Sequence, residues 1–180
     1  MDNPLMHGHI TQRFTFRRLT ADDIETWMEF VESAEAMEFF VPLYKVGDRT
    51  SCETWINKQL QRYEEFGHGL MALINNETSE FIGQCGLLKQ EVDGIRELEI
   101  GFCIIPQYWG KGYAPEAAIA CKEFAFANNM SDHIISIIHI DNEKSQSVAI
   151  KNGMEKWKTT SFKSWPVDIW RIDQSSSSIP

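Results

Sequence analysis

Cysteine is scarce in this 180-residue chain and never closely spaced. Cys52, Cys85, Cys103 and Cys121 include no CxxC pair, so neither a disulfide framework nor a zinc knuckle can be read from their spacing. Three of them lie in apolar segments, which predicts buried free thiols and a reducing compartment, the cytoplasm. No apolar run approaches the roughly 18 residues of a membrane span, and residues 1–20 lack a secretory signal pattern. Basic charge is also short: 17 Lys and Arg stand against 26 Asp and Glu, for a net charge of −9. That argues against a nucleic-acid partner, which needs a basic surface, and leaves room for electrostatic steering of a cationic one. His133 and His139 show no metal-ligand spacing and read as structural, so no metal site is expected. His7 and His9 fall in an N-terminal stretch expected to be mobile. With 43% hydrophobic and 24% charged residues and no internal repeat, the chain predicts one globular domain.

The order of its patterns is mixed α+β. Alternation in "RFTFRRL" (13–19) reads as a strand. A helix follows Thr20 as N-cap, with Ile24, Trp27, Met28 and Val31 on one face. An aromatic-rich irregular loop (36–46) leads to an amphipathic helix over 51–67. "LMALIN" (70–75) and "EFIGQCGLLK" (80–89) flank the polar turn "NETS" as a hairpin, and "ELEIGFCII" (97–105) is a third strand. A helix with Pro115 and Glu116 in its first turn follows. "HIISIIHI" (133–140) is a buried strand, 144–153 a helix ending at Gly153, and 166–172 a last strand. The domain spans 13–172, with a 1–12 extension and a low-complexity, disordered tail at 173–180.

Between the third strand and its helix lies "QYWGKGYAPEA" (107–117), which drops its side chains at Gly110 and Gly112. Glycine there permits a tight turn or a close approach to an anion at a helix N-terminus. A P-loop is excluded, because Ile105 occupies the upstream glycine position and Gly112 the Ser/Thr position. A dinucleotide fingerprint is excluded as well, because Pro115 stands at the third glycine. What remains is QxxGxG, at Gln107, Gly110 and Gly112. In that setting the chain resembles the GNAT-superfamily N-acetyltransferases, and within them the ribosomal-protein N-terminal acetyltransferase branch. "EIGFCIIPQYWGKGYAPEA" carries the resemblance, and "DNEKSQSVAIKNGM" extends it through Asn142, Ser145 and Gly153. Met154, where relatives often carry Phe, and Gln146, in place of an apolar residue, depart from the pattern.

The resemblance implies a GNAT-like, mostly antiparallel sheet flanked by helices, with a central strand-loop-helix cradle for acetyl-CoA. It implies that Gln107 and backbone N–H groups from Trp109, Gly110, Lys111, Gly112, Tyr113 and Ala114 surround the pyrophosphate, with Lys111 either adding charge or facing solvent. Phe102, Cys103 and Ile104 would line the pantetheine arm. Cys103 is expected as a packed thiol rather than a nucleophile, since the family transfers the acetyl group directly. The acceptor would be an amine, at a protein N-terminus or on a small molecule. Glu99 is the candidate base or a structural carboxylate, with Glu97 on the same strand face as fallback. Ser145 would hydrogen-bond the leaving sulfur or cap the helix, and Asn142 would contact the cofactor arm or cap. Trp27, Phe39, Phe40 and Tyr44 would wall the acceptor, with core packing an equal account of Trp27. A non-catalytic acyl-CoA sensor on the same scaffold is the alternative.

Overall fold

Two-residue alternation sets the first strand, β1 (Phe14–Arg17), in which Phe14 and Phe16 are fully buried. The computed structural model describes residues 6–40 and 43–174. The helix expected after Thr20 is split: a 3-10 turn over Ala21–Asp23 precedes α1 (Ile24–Val31). The Thr20 backbone N–H donates to Asp23 Oδ2 at 2.7 Å and tightens that first turn. α2 (Ala34–Met37) is a single turn capped by Ser33. α3 (Arg49–Phe66) starts at Asp48, which accepts from the Ser51 N–H at 2.8 Å. It ends at Gly67, whose φ of +68° suits a left-handed cap.

Strands β2 (Leu70–Asn75), β3 (Phe81–Val92) and β4 (Ile95–Ile104) form an antiparallel meander. Asp93 and Gly94 turn β3 into β4 with φ of +51° and +78°, a two-residue hairpin that suits this dipeptide. Both strands therefore run past the apolar segments 80–89 and 97–105. α4 (Tyr113–Ala127), β5 (His133–His139), α5 (Glu143–Lys151), β6 (Glu155–Phe162) and β7 (Trp165–Asp173) complete the chain.

The seven strands are ordered β1-β2-β3-β4-β5-β7-β6, and every pairing is antiparallel except β4 with β5. This is the mixed sheet expected. β4 and β5 hold register only at Glu99↔Ile135, and Ser136 Oγ adds a hydrogen bond to the Ile100 carbonyl at 2.9 Å. Alternation gives the central strands two distinct faces. On one, Cys85 Sγ lies 3.5 Å from Cys121 Sγ of α4. On the other, register brings Gln84 opposite Cys103, Gly86 opposite Gly101 and Leu88 opposite Glu99. α3 covers that second face, where Trp55 Nε1 donates to Gln84 Oε1 at 3.0 Å.

Residues 6–12 dock, contrary to the expectation of mobility. Met6 is buried, Gly8 N–H donates to the Phe16 carbonyl at 2.8 Å, and the His9 ring packs edge-on against Phe16 and Phe124. Within the expected 173–180 tail, Asp173 ends β7 and Gln174 N–H donates to the Asp132 carbonyl. Residues 175–180, like Val41 and Pro42 of the aromatic loop, lie outside the described residues.

Candidate active site

Gly110 and Gly112 adopt φ of +74° and +79°, a region that side chains with a Cβ rarely enter. A Cβ on Gly110 would meet nothing within 4 Å, so the glycine leaves open space above the backbone rather than relieving an internal clash. Gly112 is the N-cap of α4, and no side chain caps that helix start. The first-turn N–H groups of α4 thus retain hydrogen-bonding capacity at its positive end, a donor set that fits a pyrophosphate.

The loop is held from below and from the side. Trp109 Nε1 donates to the Ile104 carbonyl at 2.6 Å. Arg13, at the edge of β1, donates through Nε to Glu116 at 2.5 Å and through Nη1 to the Lys111 carbonyl at 2.7 Å. The Arg13 guanidinium also lies over the Tyr113 ring, 4.5 Å from its centroid. Lys111 is exposed, with its ammonium 5.3 Å from the Tyr108 centroid, which matches the solvent-side alternative. Gln107 is exposed and donates to Glu29 Oε2 at 2.8 Å, so α1 engages its side chain.

Beyond Glu99, β4 carries Gly101, Phe102 and Cys103 half-buried, followed by buried Ile104. This segment borders the gap where β4 and β5 part, which suits an extended chain bearing amides. Burial and the neighbouring Cys85 and Glu99 charges raise the Cys103 thiol well above its ordinary range. That disfavours a nucleophilic thiolate.

Glu99 is buried in β4, and its carboxylate accepts from Gln90 Nε2 at 2.7 Å. Burial raises its pKa, opposed by the Gln90 hydrogen bond, the Arg62 charge and the Ile137 backbone N–H. Glu97 is differently engaged: its carboxylate lies 2.7 Å from His133 Nε2, and His133 Nδ1 lies 2.6 Å from Asp132. Glu97 thus has an imidazole as its fixed partner while Glu99 has a neutral amide. This difference separates two glutamates that strand alternation alone leaves equivalent.

Asn142 caps α5, its Oδ1 accepting from the Ser145 N–H at 3.1 Å. The capping task falls to Asn142, and among the described residues the half-buried Ser145 hydroxyl has no hydrogen-bond partner. Lys144, next to it, reaches over the Trp109 ring at 4.2 Å from the centroid and pairs with Glu35, linking α5 to the glycine loop and to α2.

The four aromatic acceptor candidates separate. Trp27 is fully buried and stacks on Phe30 at 4.5 Å, which is its packing alternative. Phe39 lies 5.1 Å from the His139 ring, which itself meets Trp165 at 4.7 Å. Phe40 and Tyr44 both pack on Trp55, at 4.9 and 5.2 Å. Trp55, His139 and Trp165 join these aromatic contacts without having been counted as acceptor candidates from the sequence. Arg13 was likewise passed over, although its place opening the first strand was visible.

Comparison with known proteins agrees with this geometry. The acetyltransferase (GNAT) domain family matches residues 13–155. The uncharacterized protein YkkB of Bacillus subtilis (strain 168) is 31% identical over 123 residues, covering 68% of this chain and 72% of that protein. An acetyltransferase structure from Agrobacterium tumefaciens str. C58 superposes with a TM-score of 0.76 at 27% identity, covering 92% of this chain and 93% of the other. The fold is also that of a spermidine N-acetyltransferase from Vibrio cholerae in complex with CoA and spermine, with a TM-score of 0.72 at 16% identity and coverage of 92% and 98%.

Proposed function

This chain belongs to the acetyltransferase (GNAT) domain family, and we propose that it moves an acetyl group from acetyl-CoA to a primary amine by direct attack in a ternary complex. The acceptor is a protein N-terminus or a small-molecule amine. The likeness to the ribosomal-protein branch at QxxGxG and its flanks favours the N-terminus. The observation that carries the reading is the parting of β4 from β5 immediately after Glu99, beside an uncapped helix start. Four free thiols suit a reducing compartment, and we place the enzyme in the cytoplasm.

Acetyl-CoA supplies a thioester whose carbon–sulfur bond breaks as the amine nitrogen bonds the acetyl carbon, giving an N-acetyl product and the free coenzyme thiol. Backbone N–H groups of residues 110–114 hold the pyrophosphate, the expected Trp109 N–H being committed instead to the Pro106 carbonyl at 3.0 Å, and Phe102, Cys103 and Ile104 flank the arm. The attacking amine must be neutral. For an α-amine with pKa about 7.7–8.0, deprotonation at pH 7 costs roughly 1 kcal/mol; for a lysine near 10.4 it costs roughly 4.6. Glu99 takes that proton, directly or through a water, and its raised pKa brings it closer to the working pH of a general base. Ser145 Oγ–H donates to the departing sulfur, a modest contribution because a thiolate with pKa near 8.5 leaves with little assistance.

Free-thiol release from acetyl-CoA, measured across peptides, polyamines and aminoglycosides with products identified by mass spectrometry, tests the reading. Acceptor-dependent thiol with a matching N-acetyl product is the expected result. Coenzyme binding without turnover on any amine would overturn it in favour of the sensor.

A further inference from the structure

Along α3, half-buried Trp55, Lys58 and Arg62, spaced three to four residues apart, flank the buried Gln59. Two contacts pin the helix to the sheet. Trp55 bonds Gln84 of β3, and Gln59 Oε1 accepts from both Arg62 Nη1, at 3.1 Å, and the Leu70 N–H, at 3.3 Å. Lys163, at the turn between β6 and β7, approaches the same region from the other side of the site.

Charge is unbalanced at this point. Lys58 is acted on by Arg62 and Lys163, both cations, and by no carboxylate. For Arg62 and Lys163 the one acting carboxylate is Glu99, so three cations share a single buried acid. Among the described residues none of the three cations forms an ion pair. Among the described residues, two further polar atoms in the neighbourhood are buried without a partner: Gln84 Nε2 and Tyr44 Oη. Trp55 connects them, hydrogen-bonded to Gln84 and packed edge-on against Tyr44. Buried polar groups are ordinarily satisfied, so unpaired donors beside a cluster of cations mark a place that an acceptor group would stabilise. Gln84 Nε2 and the cations can only donate, and the Tyr44 hydroxyl can donate as well.

Resting on the acetyl-transfer reading, we infer that the acceptor is an amine that also carries an anionic oxygen group, a carboxylate or a phosphate, held by Arg62, Lys58, Lys163, Gln84 and Tyr44 beside Glu99. The whole chain is acidic, yet its acceptor side is locally cationic, so the net charge of −9 misdirects any expectation of a polycationic substrate. A cationic acceptor would leave these donors unpaired and add like charge to them, the arrangement that discriminates most strongly between partners.

The test compares kcat/KM for matched amines: glutamate against glutamine, a peptide with an acidic first residue against its amide counterpart, phosphoethanolamine against ethanolamine, and spermidine. The anionic member of at least one pair is expected to lead by about tenfold or more, equivalent to 1.4 kcal/mol. Which pair leads distinguishes free carboxylate, acidic N-terminus and phosphate. Calorimetric binding of the same amines to the coenzyme-loaded protein reads the preference without turnover. R62Q should bring the ratio close to one while leaving coenzyme affinity and thermal stability near wild type, and R62E should turn it toward spermidine. K58A provides a second variant on the same face, should Arg62 prove necessary for folding. Preferred turnover of spermidine, or an unchanged ratio in folded R62Q and K58A, overturns the inference and leaves acetyl transfer standing. Absence of acceptor-dependent thiol with every amine overturns acetyl transfer itself and the inference with it.

Discussion

Arg13 clasps Glu116 at 2.5 Å, joining the edge of the first strand to the first turn of α4. The same guanidinium holds the Lys111 carbonyl, so one side chain fixes both the glycine loop and the helix start. It also offsets a carboxylate charge close to the proposed pyrophosphate position. R13A is therefore expected to weaken coenzyme A binding about tenfold, or 1.4 kcal/mol. R13K should restore little, because an ammonium cannot span two acceptors in the fixed geometry of a guanidinium. Calorimetry reads both variants, and unchanged affinity in folded R13A would show that the loop holds its shape unaided.

Replacing Gly112 by Val tests the cradle itself. At φ +79° a side chain with a Cβ costs roughly 1–2 kcal/mol in the backbone, and the new atoms would stand near the Arg13 guanidinium, 3.5 Å from the Cβ position. Coenzyme affinity should fall by more than the loss of stability measured in a urea melt. Equal affinity in a folded variant would place the pyrophosphate elsewhere.

For Glu99, the base assignment predicts that Glu99→Gln lowers kcat by roughly 10²–10⁴ with acetyl-CoA affinity near wild type. Activity should recover at high pH, starting about 2.5 units lower for an α-amine than for a lysine. Stability moves the other way. Folding raises the pKa of Glu99, so its contribution is complete below the unfolded value of 4.5 and is lost as pH rises through the folded value. Glu99→Gln should accordingly be more stable than wild type at pH 7, and that margin should disappear in acid. A less stable variant with wild-type kcat at pH 7 would assign Glu99 a structural role.

His68 supplies an acid-sensitive point far in sequence from the chemistry. It is buried, with Nδ1–H donating to the Leu87 carbonyl at 3.2 Å and Nε2 without a partner among the described residues. Burial, reinforced by the Lys89 charge, lowers its pKa to about 4. Because the folded state favours the neutral ring, stability should be unaffected above the unfolded pKa near 6.5. It should then fall by roughly 3 kcal/mol as pH drops toward 4, and level off below. His68→Leu should flatten that segment of the urea-unfolding profile. An unchanged slope between pH 6.5 and 4 would mean the ring is hydrated in the folded state.

The glycine loop was legible because Gly110 and Gly112 interrupt an otherwise bulky stretch between two strongly patterned elements. β6 was not, since "EKWKTTSF" is an edge strand that is exposed or half-exposed throughout and offers no apolar face to count. Asp93-Gly94 carried a hairpin signal, yet the polar residues around it hid the true lengths of β3 and β4. Glu99 and Glu97 could not be ranked by alternation, because their distinction depends on Gln90 and His133, which only the sheet brings near. Lys58, Arg62 and Lys163 belong to no motif in the sequence. Their common influence on one region depends on how α3 and the β6–β7 turn are placed by the sheet, which no local spacing encodes.

The early parting of β4 from β5 has a thermodynamic counterpart. A sheet that holds register across its centre at one position has its weakest mechanical seam between the β1–β4 half and the β5–β7 half. On the proposed placement, the pantetheine arm lies in that seam and occupies the backbone groups a neighbouring strand would otherwise take. The coenzyme then acts as a removable strut of the fold, and mass action makes the protein's melting temperature a gauge of coenzyme supply. Depletion of acetyl-CoA and coenzyme A together would shorten the lifetime of the folded chain as well as halt its turnover, coupling the abundance of the enzyme to the metabolic state it serves.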